Sequence, residues 1–131
     1  MLFRSGIVVS NHGGRNMDSV AATIDVLPEI AEAVGDRLTV ILDSGVRRGS
    51  DIAKALALGA KAVLTGRATL YGTAVGGQAG AFKAINLIRN ELDKTMASTG
   101  CRSVDEVTTD IFFGGRQGNR MYERVMDEAA M

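Results

Sequence analysis

Short apolar runs alternate along the chain with stretches in which apolar residues recur every three to four positions, a rhythm that predicts βα units around a parallel sheet. Runs at 7–10, 39–42 and 62–65 are strand-sized. The first of them, Ile7-Val8-Val9, is apolar at successive positions, as a strand covered on both faces would be. Leu27, Ile30, Ala31 and Val34 fall at i, i+3, i+4 and i+7 and predict a helix with Pro28 in its first turn and Gly35 at its end. After the second strand, Ser50 and Asp51 give an N-cap signal, Ile52, Ala55 and Leu56 share one face, and Gly59 is the stop. The longest helix is predicted over 74–96, with Ala81, Phe82, Ile85, Ile88 and Leu92 as a core-packing stripe and Lys94 near the end where a cation suits the helix dipole. Ser103 and Glu106 have capping-box spacing and predict one more short helix. Residues 114–120 are polar and glycine-rich, which predicts a connector to a short terminal helix. No internal repeat stands out beyond the strand–helix rhythm.

Composition narrows the class. The chain has 131 residues, 46% of them hydrophobic, and a formal net charge of +0, which suits one soluble α/β domain and gives no basic surplus for nucleic acid. No apolar stretch is long enough to span a bilayer and no signal-peptide core is evident, so a cytoplasmic location is expected. The single cysteine, Cys101, can make no internal disulfide and has no second thiol with which to share a metal, so a buried structural thiol and no metal site are expected.

Chemistry concentrates where the strands end. His12, the only histidine, follows the first strand in Ser10-Asn11-His12-Gly13-Gly14-Arg15. Neutral imidazole accepts a proton near pH 7, and a guanidinium forks two hydrogen bonds onto a carboxylate, so the pair suits a small acid. The second strand runs into Asp43-Ser44-Gly45-Val46-Arg47 and the third into Thr65-Gly66-Arg67. At both places glycines can turn backbone N–H groups toward an anion, a helix starts nearby, and an arginine adds charge.

The stretch Asn11-His12-Gly13-Gly14-Arg15, followed by the two glycine–arginine loops in that order, resembles the FMN-dependent α-hydroxy acid dehydrogenases and oxidases. The likeness covers about residues 6–113 and includes the stretches from Ala22 to Pro28 and from Thr95 to Ser103. It implies an α/β fold that is part of a TIM (β/α)8 barrel, namely the last three βα units (strands 6–8) with C-terminal helices. Residues 1–113 would then be the barrel portion and 114–131 a connector with a terminal helix.

The resemblance also implies roles. His12 would be the general base toward a small (S)-2-hydroxy acid and Arg15 would hold its carboxylate. Ser10 matches a flavin contact. Asp43, Ser44, Gly45, Val46 and Arg47 match one FMN-binding segment and Gly66 with Arg67 a second, Ser44 standing where many members have glycine. Oxidation of R-CHOH-COO⁻ to the keto acid needs a two-electron acceptor that side chains cannot provide, and FMN would supply it. Three units cannot close an eight-stranded barrel, so the chain is expected to be a carboxy-terminal piece that lacks the other substrate-holding groups. Exposed strand edges and an apolar face would favour a homo-oligomer. The alternatives are a non-catalytic phosphate- or FMN-binding half-barrel, or an inactive truncation product.

Overall fold

The computed structural model describes residues 5–112. Three parallel strands, β1 (Gly6–Val9), β2 (Thr39–Leu42) and β3 (Ala62–Val63), lie side by side in the order β1-β2-β3, with Val9 opposite Leu42 and Leu42 opposite Val63. Between them run α1 (Thr23–Val34) and α2 (Gly49–Ala57), and after β3 comes α3 (Arg67–Thr99). The strands fall where the apolar runs predict them; the third is shorter than 62–65, although Leu64 N still donates to Leu42 O at 2.8 Å.

Because side chains alternate along a strand, the in-register pairing sends Ile7, Val9, Val40, Leu42 and Val63 to one face of the sheet. That face receives both helices. Leu27 of α1 and Ala55 of α2 are fully buried against Val9, Val40 and Leu42, and Ile24, Ile30 and Ile52 pack around them. The opposite face carries Val8, Ile41 and Ala62 and has no layer over it among the described residues: Val8 is 51% exposed and Leu64, just beyond β3, 46%. The first strand is therefore covered on one face only, contrary to its unbroken apolar run. Sequential strand order with both crossover helices on one side is the winding of a barrel wall, whereas a doubly wound sheet carries helices on both faces. Leu27 packs between both layers, so Leu27→Ala is expected to cost about 3 kcal/mol, read as a lowered urea midpoint.

Several element boundaries differ from expectation. Helix α1 begins at Thr23, so Pro28 lies inside it rather than in the first turn. The start of α1 has no side-chain cap, because Thr23, the obvious candidate, turns its hydroxyl to the carbonyls of Asp43 and Ser44 at 2.8 and 3.2 Å. Helix α2 starts at Gly49, and Asp51 acts from inside its first turn, accepting from Arg47 N and Arg48 N at 3.0 and 2.9 Å. Ser103 does not cap a further helix; only a 3-10 turn, Val104–Glu106, follows. Cys101 is half-buried rather than buried. The expected connector and terminal helix at 114–131 lie outside the described residues.

Helix α3 departs most from its prediction. It starts at Arg67 and is broken at Gly76 and Gly77, where Gly77 has φ 55°. Its two halves touch at Gly72 and Gly80, where a Cβ on either residue would run into the other's carbonyl. The later half packs on α2 rather than on the sheet, burying Ile88 but leaving Phe82 and Ile85 exposed, so most of the predicted stripe is not core. Gly49 presses on the backbone of Glu91 and Leu92 with no room for a Cβ. Glu91 accepts from Gly49 N at 3.0 Å and from both Nε and Nη2 of Arg48 at 3.0 and 2.9 Å. That fork ties the start of α2, and with it the loop after β2, to α3.

Candidate functional site

All three strands are parallel, so their carboxyl ends share one edge of the sheet. Asp43 N donates to Val9 O at 2.8 Å, which carries the β1–β2 ladder one step into the loops and brings Ser10 beside Asp43. The chain then turns sharply after β1: His12, Gly13 and Gly14 have φ of 57°, 69° and 70°. Left-handed backbone is open to glycine at little cost, but not to histidine, which needs support from its surroundings. Asn11 supplies part of it, its Oδ1 accepting from Gly14 N and its Nδ2 donating to Ala21 O, both at 3.1 Å.

Beneath that turn lies a carboxylate and two hydroxyls. Ser10 Oγ donates to Asp43 Oδ2 at 2.5 Å and accepts from His12 N at 3.1 Å. Ser44 Oγ donates to the same oxygen at 3.0 Å and accepts from Gly13 N at 2.9 Å. Donation by Ser10, assisted by the hydroxyl and amide of Ser44, outweighs desolvation and holds the Asp43 carboxyl below its ordinary value of 3.8. A lowered carboxyl pKa stabilises the fold above the unfolded value and loses that contribution as pH falls through the folded value. The stability difference between wild type and Asp43→Asn should thus narrow as pH is taken from about 5 to about 2 in urea titrations.

A cleft of about 540 Å³ opens above these loops, within the range that takes a small-molecule ligand. The turn after β1 contributes His12, Gly13 and Arg15; the loop after β2 contributes Asp43, Ser44, Gly45, Val46 and Arg47. Gly66 and Arg67 arrive from the end of β3, with Leu64, Ala68 and Leu70 as an apolar wall. Of the residues singled out in the sequence, Ser10 alone does not line the cleft; it lies under it, bonded to Asp43. A second hollow of about 430 Å³ between the starts of α1 and α2 shares Gly13, Ser44 and Arg67 but excludes His12 and Arg15.

Within the cleft, Arg15 Nη2 stands 2.9 Å from His12 Nε2. A guanidinium only donates, so this contact takes an Nε2 that carries no proton, leaving the ring proton on Nδ1. Imidazole lone pair and fixed cation thus face the same space. Arg67 reaches across from β3 and donates to Gly13 O at 2.7 Å. Among the described residues neither Arg47 nor Arg67 pairs with a carboxylate.

The donor set fits a phosphate-bearing group. A Cβ added at Gly45 or Gly66 would meet nothing within 4 Å, so these glycines serve not to pack against neighbours but to leave backbone beside the cleft uncovered. Gly45 also has φ 80°, a conformation that favours glycine. Gly66 is the N-cap of α3 and makes no side-chain cap bond, so the first-turn amides there remain free for an anion. The start of α2 is different, because Asp51 already occupies amides at 47 and 48. Thr23 was not apparent from sequence; buried, it pins the carbonyls of Asp43 and Ser44, and its only sequence signal is a threonine at an otherwise apolar helix start.

A family model described as FMN-dependent dehydrogenase matches residues 4–113. The L-lactate oxidase of Lactobacillus jensenii is 60% identical over 102 residues, which are 78% of this chain and 25% of that protein. Human 2-hydroxyacid oxidase 2 is 50% identical over 106 residues, 81% of this chain and 30% of that protein. A soluble mutant of the membrane-associated (S)-mandelate dehydrogenase of Pseudomonas putida superimposes with a TM-score of 0.78 at 45% identity, covering 82% of this chain and 30% of that one. The chain spans about a quarter to a third of the length of the relatives it matches. With that coverage of its own length, and with the paired strand-end loops in place, the chain belongs to the FMN-dependent dehydrogenase family.

Proposed function

We propose that these residues form strands 6–8 of an FMN-dependent barrel that oxidises a small (S)-2-hydroxy acid to its 2-keto acid. The observation that carries this reading is the cleft itself, where imidazole and guanidinium from the end of β1 face the bare amides and arginines from the ends of β2 and β3. In eight-stranded βα barrels the loops after the last two strands commonly hold phosphate on the catalytic face.

The FMN phosphate is assigned to Gly66, Arg67 and the open N-terminus of α3, with Arg47 and Gly45 closing on it from β2. Bound FMN supplies a two-electron acceptor. Arg15 orients the acid by forking onto its carboxylate, and His12 Nε2, already without a proton in its contact with Arg15, takes a proton from the substrate. For this to happen Arg15 must turn from His12 to the arriving carboxylate, which frees the lone pair as the acid is bound. Leu64 and Leu70 give the cleft an apolar wall that limits water beside the reacting carbon.

This reading includes self-association through the uncovered sheet face and a cytoplasmic location; among the described residues no helix is long and apolar enough to cross a membrane. It is tested by titrating the purified chain with FMN and adding (S)-lactate or glycolate without oxygen. Loss of the oxidised flavin absorbance is expected. Saturable FMN binding with no reduction by either acid would instead support a non-catalytic FMN-binding module.

A further inference from the structure

We propose that Asp43, with Ser10 and Ser44 as its two arms, is a positioning residue that presets the His12 turn before cofactor or acid arrives; this rests on the reading of His12 as the base. Asp43, Ser10 and Ser44 match FMN-binding positions of the family, yet here their side chains are engaged with one another and with the histidine's backbone. Both hydroxyl protons go to a single oxygen, Asp43 Oδ2, at 2.5 and 3.0 Å. Each hydroxyl then has its lone pairs turned toward the turn, where Ser10 Oγ accepts from His12 N and Ser44 Oγ from Gly13 N, at 3.1 and 2.9 Å. Consecutive left-handed residues point their amides into one concavity, which needs acceptors. One carboxylate fills that need through two hydroxyls whose direction it fixes.

The same network accounts for a strained serine. Ser44 has φ 80°, a conformation glycine takes freely and serine does not. Its hydroxyl is what a glycine there would lack, and that hydroxyl bridges the β2 loop to Gly13, 31 residues away. Arg67 holds the other side of the same residue by donating to Gly13 O. The Gly13 peptide is thus gripped from β2 and from β3, and His12 is carried between fixed points. Asp43 acts on the histidine only through these contacts, since the bond to its backbone is relayed by Ser10.

The test is amide hydrogen exchange in the 131-residue chain without cofactor, followed by flavin reduction in the FMN-loaded chain. Ser44→Gly relieves the strained φ while removing the bridge, so Gly13 exchange should rise at least ~10-fold with Val40, Ile41 and Leu42 unchanged. Ser10→Ala should do the same at His12, and Ser10→Thr should restore protection to within about twofold of wild type. Asp43→Asn, which disturbs both arms, should speed both amides. In the loaded chain these variants should slow reduction at saturating 2-hydroxy acid while leaving KM nearly unchanged. Wild-type exchange at both amides would overturn the proposal. So would loss of strand protection together with the turn in every variant, since the network would then merely hold the fold. Absence of FMN binding would sink the enzymatic reading but not the exchange result; FMN reduction with unresponsive amides would sink this proposal alone.

Discussion

His12→Ala is expected to bind FMN as wild type does and to reduce it with (S)-lactate or glycolate at least ~100-fold more slowly, since a positioned general base contributes about 10²–10⁴ in rate. The two outcomes separate because His12 belongs to the turn after β1, whereas the anion-binding loops follow β2 and β3. The turn itself should persist, because alanine keeps the backbone amide that Ser10 accepts from. Stopped-flow flavin reduction at saturating acid, with FMN affinity measured separately, checks both halves. An unchanged reduction rate would remove His12 from the chemistry and leave Arg15 as a binding group only.

Removing both anchoring arginines should give the second large effect. Arg47→Ala and Arg67→Ala each delete a cation from the cleft, and a charge-assisted hydrogen bond contributes about 1.5–3 kcal/mol. Together they should weaken FMN binding by roughly 100-fold or more. The two are not equivalent. Arg67 also donates to Gly13 O, so its loss should disturb the His12 turn as well as the cofactor, whereas Arg47→Ala should act on FMN alone. Arg67→Lys keeps the charge and loses the fork, and should recover part of the FMN affinity with less of the reduction rate. FMN titration by flavin fluorescence, run beside reduction kinetics, distinguishes these patterns.

The strands were legible because each is a compact apolar run bounded by glycine or charge, and the site because strand-end glycines, arginines and a single histidine have few structural uses together. Helix boundaries were harder. The start of α1 is hidden because Thr23, which might cap it, serves Asp43 and Ser44 instead. The early half of α3 is hidden because Gly72, Gly76 and Gly77 read as breakers, while in the structure Gly72 is the small residue that lets the chain fold back on Gly80. The stripe through Phe82 and Ile85 misleads for a related reason. Helix α3 lies on α2, whose surface at the contact is Gly49 and a salt bridge, so little apolar width is needed there. The carboxylate–serine network was not legible at all, since residues 33 positions apart meet only through the β1–β2 register.

The fold also explains why the site residues can be read in order along the chain. Each unit adds one strand to the same side of the sheet and sends its crossover helix to the same face, so successive strand ends arrive as neighbours along a single edge. Catalytic groups come from the first loop, cofactor groups from the next two, and the bonds Gly13 N to Ser44 Oγ and Arg67 Nη2 to Gly13 O lock the three loops together.

The most direct test is a map of FMN contacts on the isotope-labelled chain by two-dimensional NMR. Placement of the cofactor at the carboxyl ends of the strands predicts saturable shifts at the amides of Gly13, Gly45, Gly66 and Arg67, with Lys61 and Thr39 at the opposite strand ends unmoved. Shifts gathered instead at those opposite ends or along the exposed side of α3, with the four loop amides silent, would contradict it.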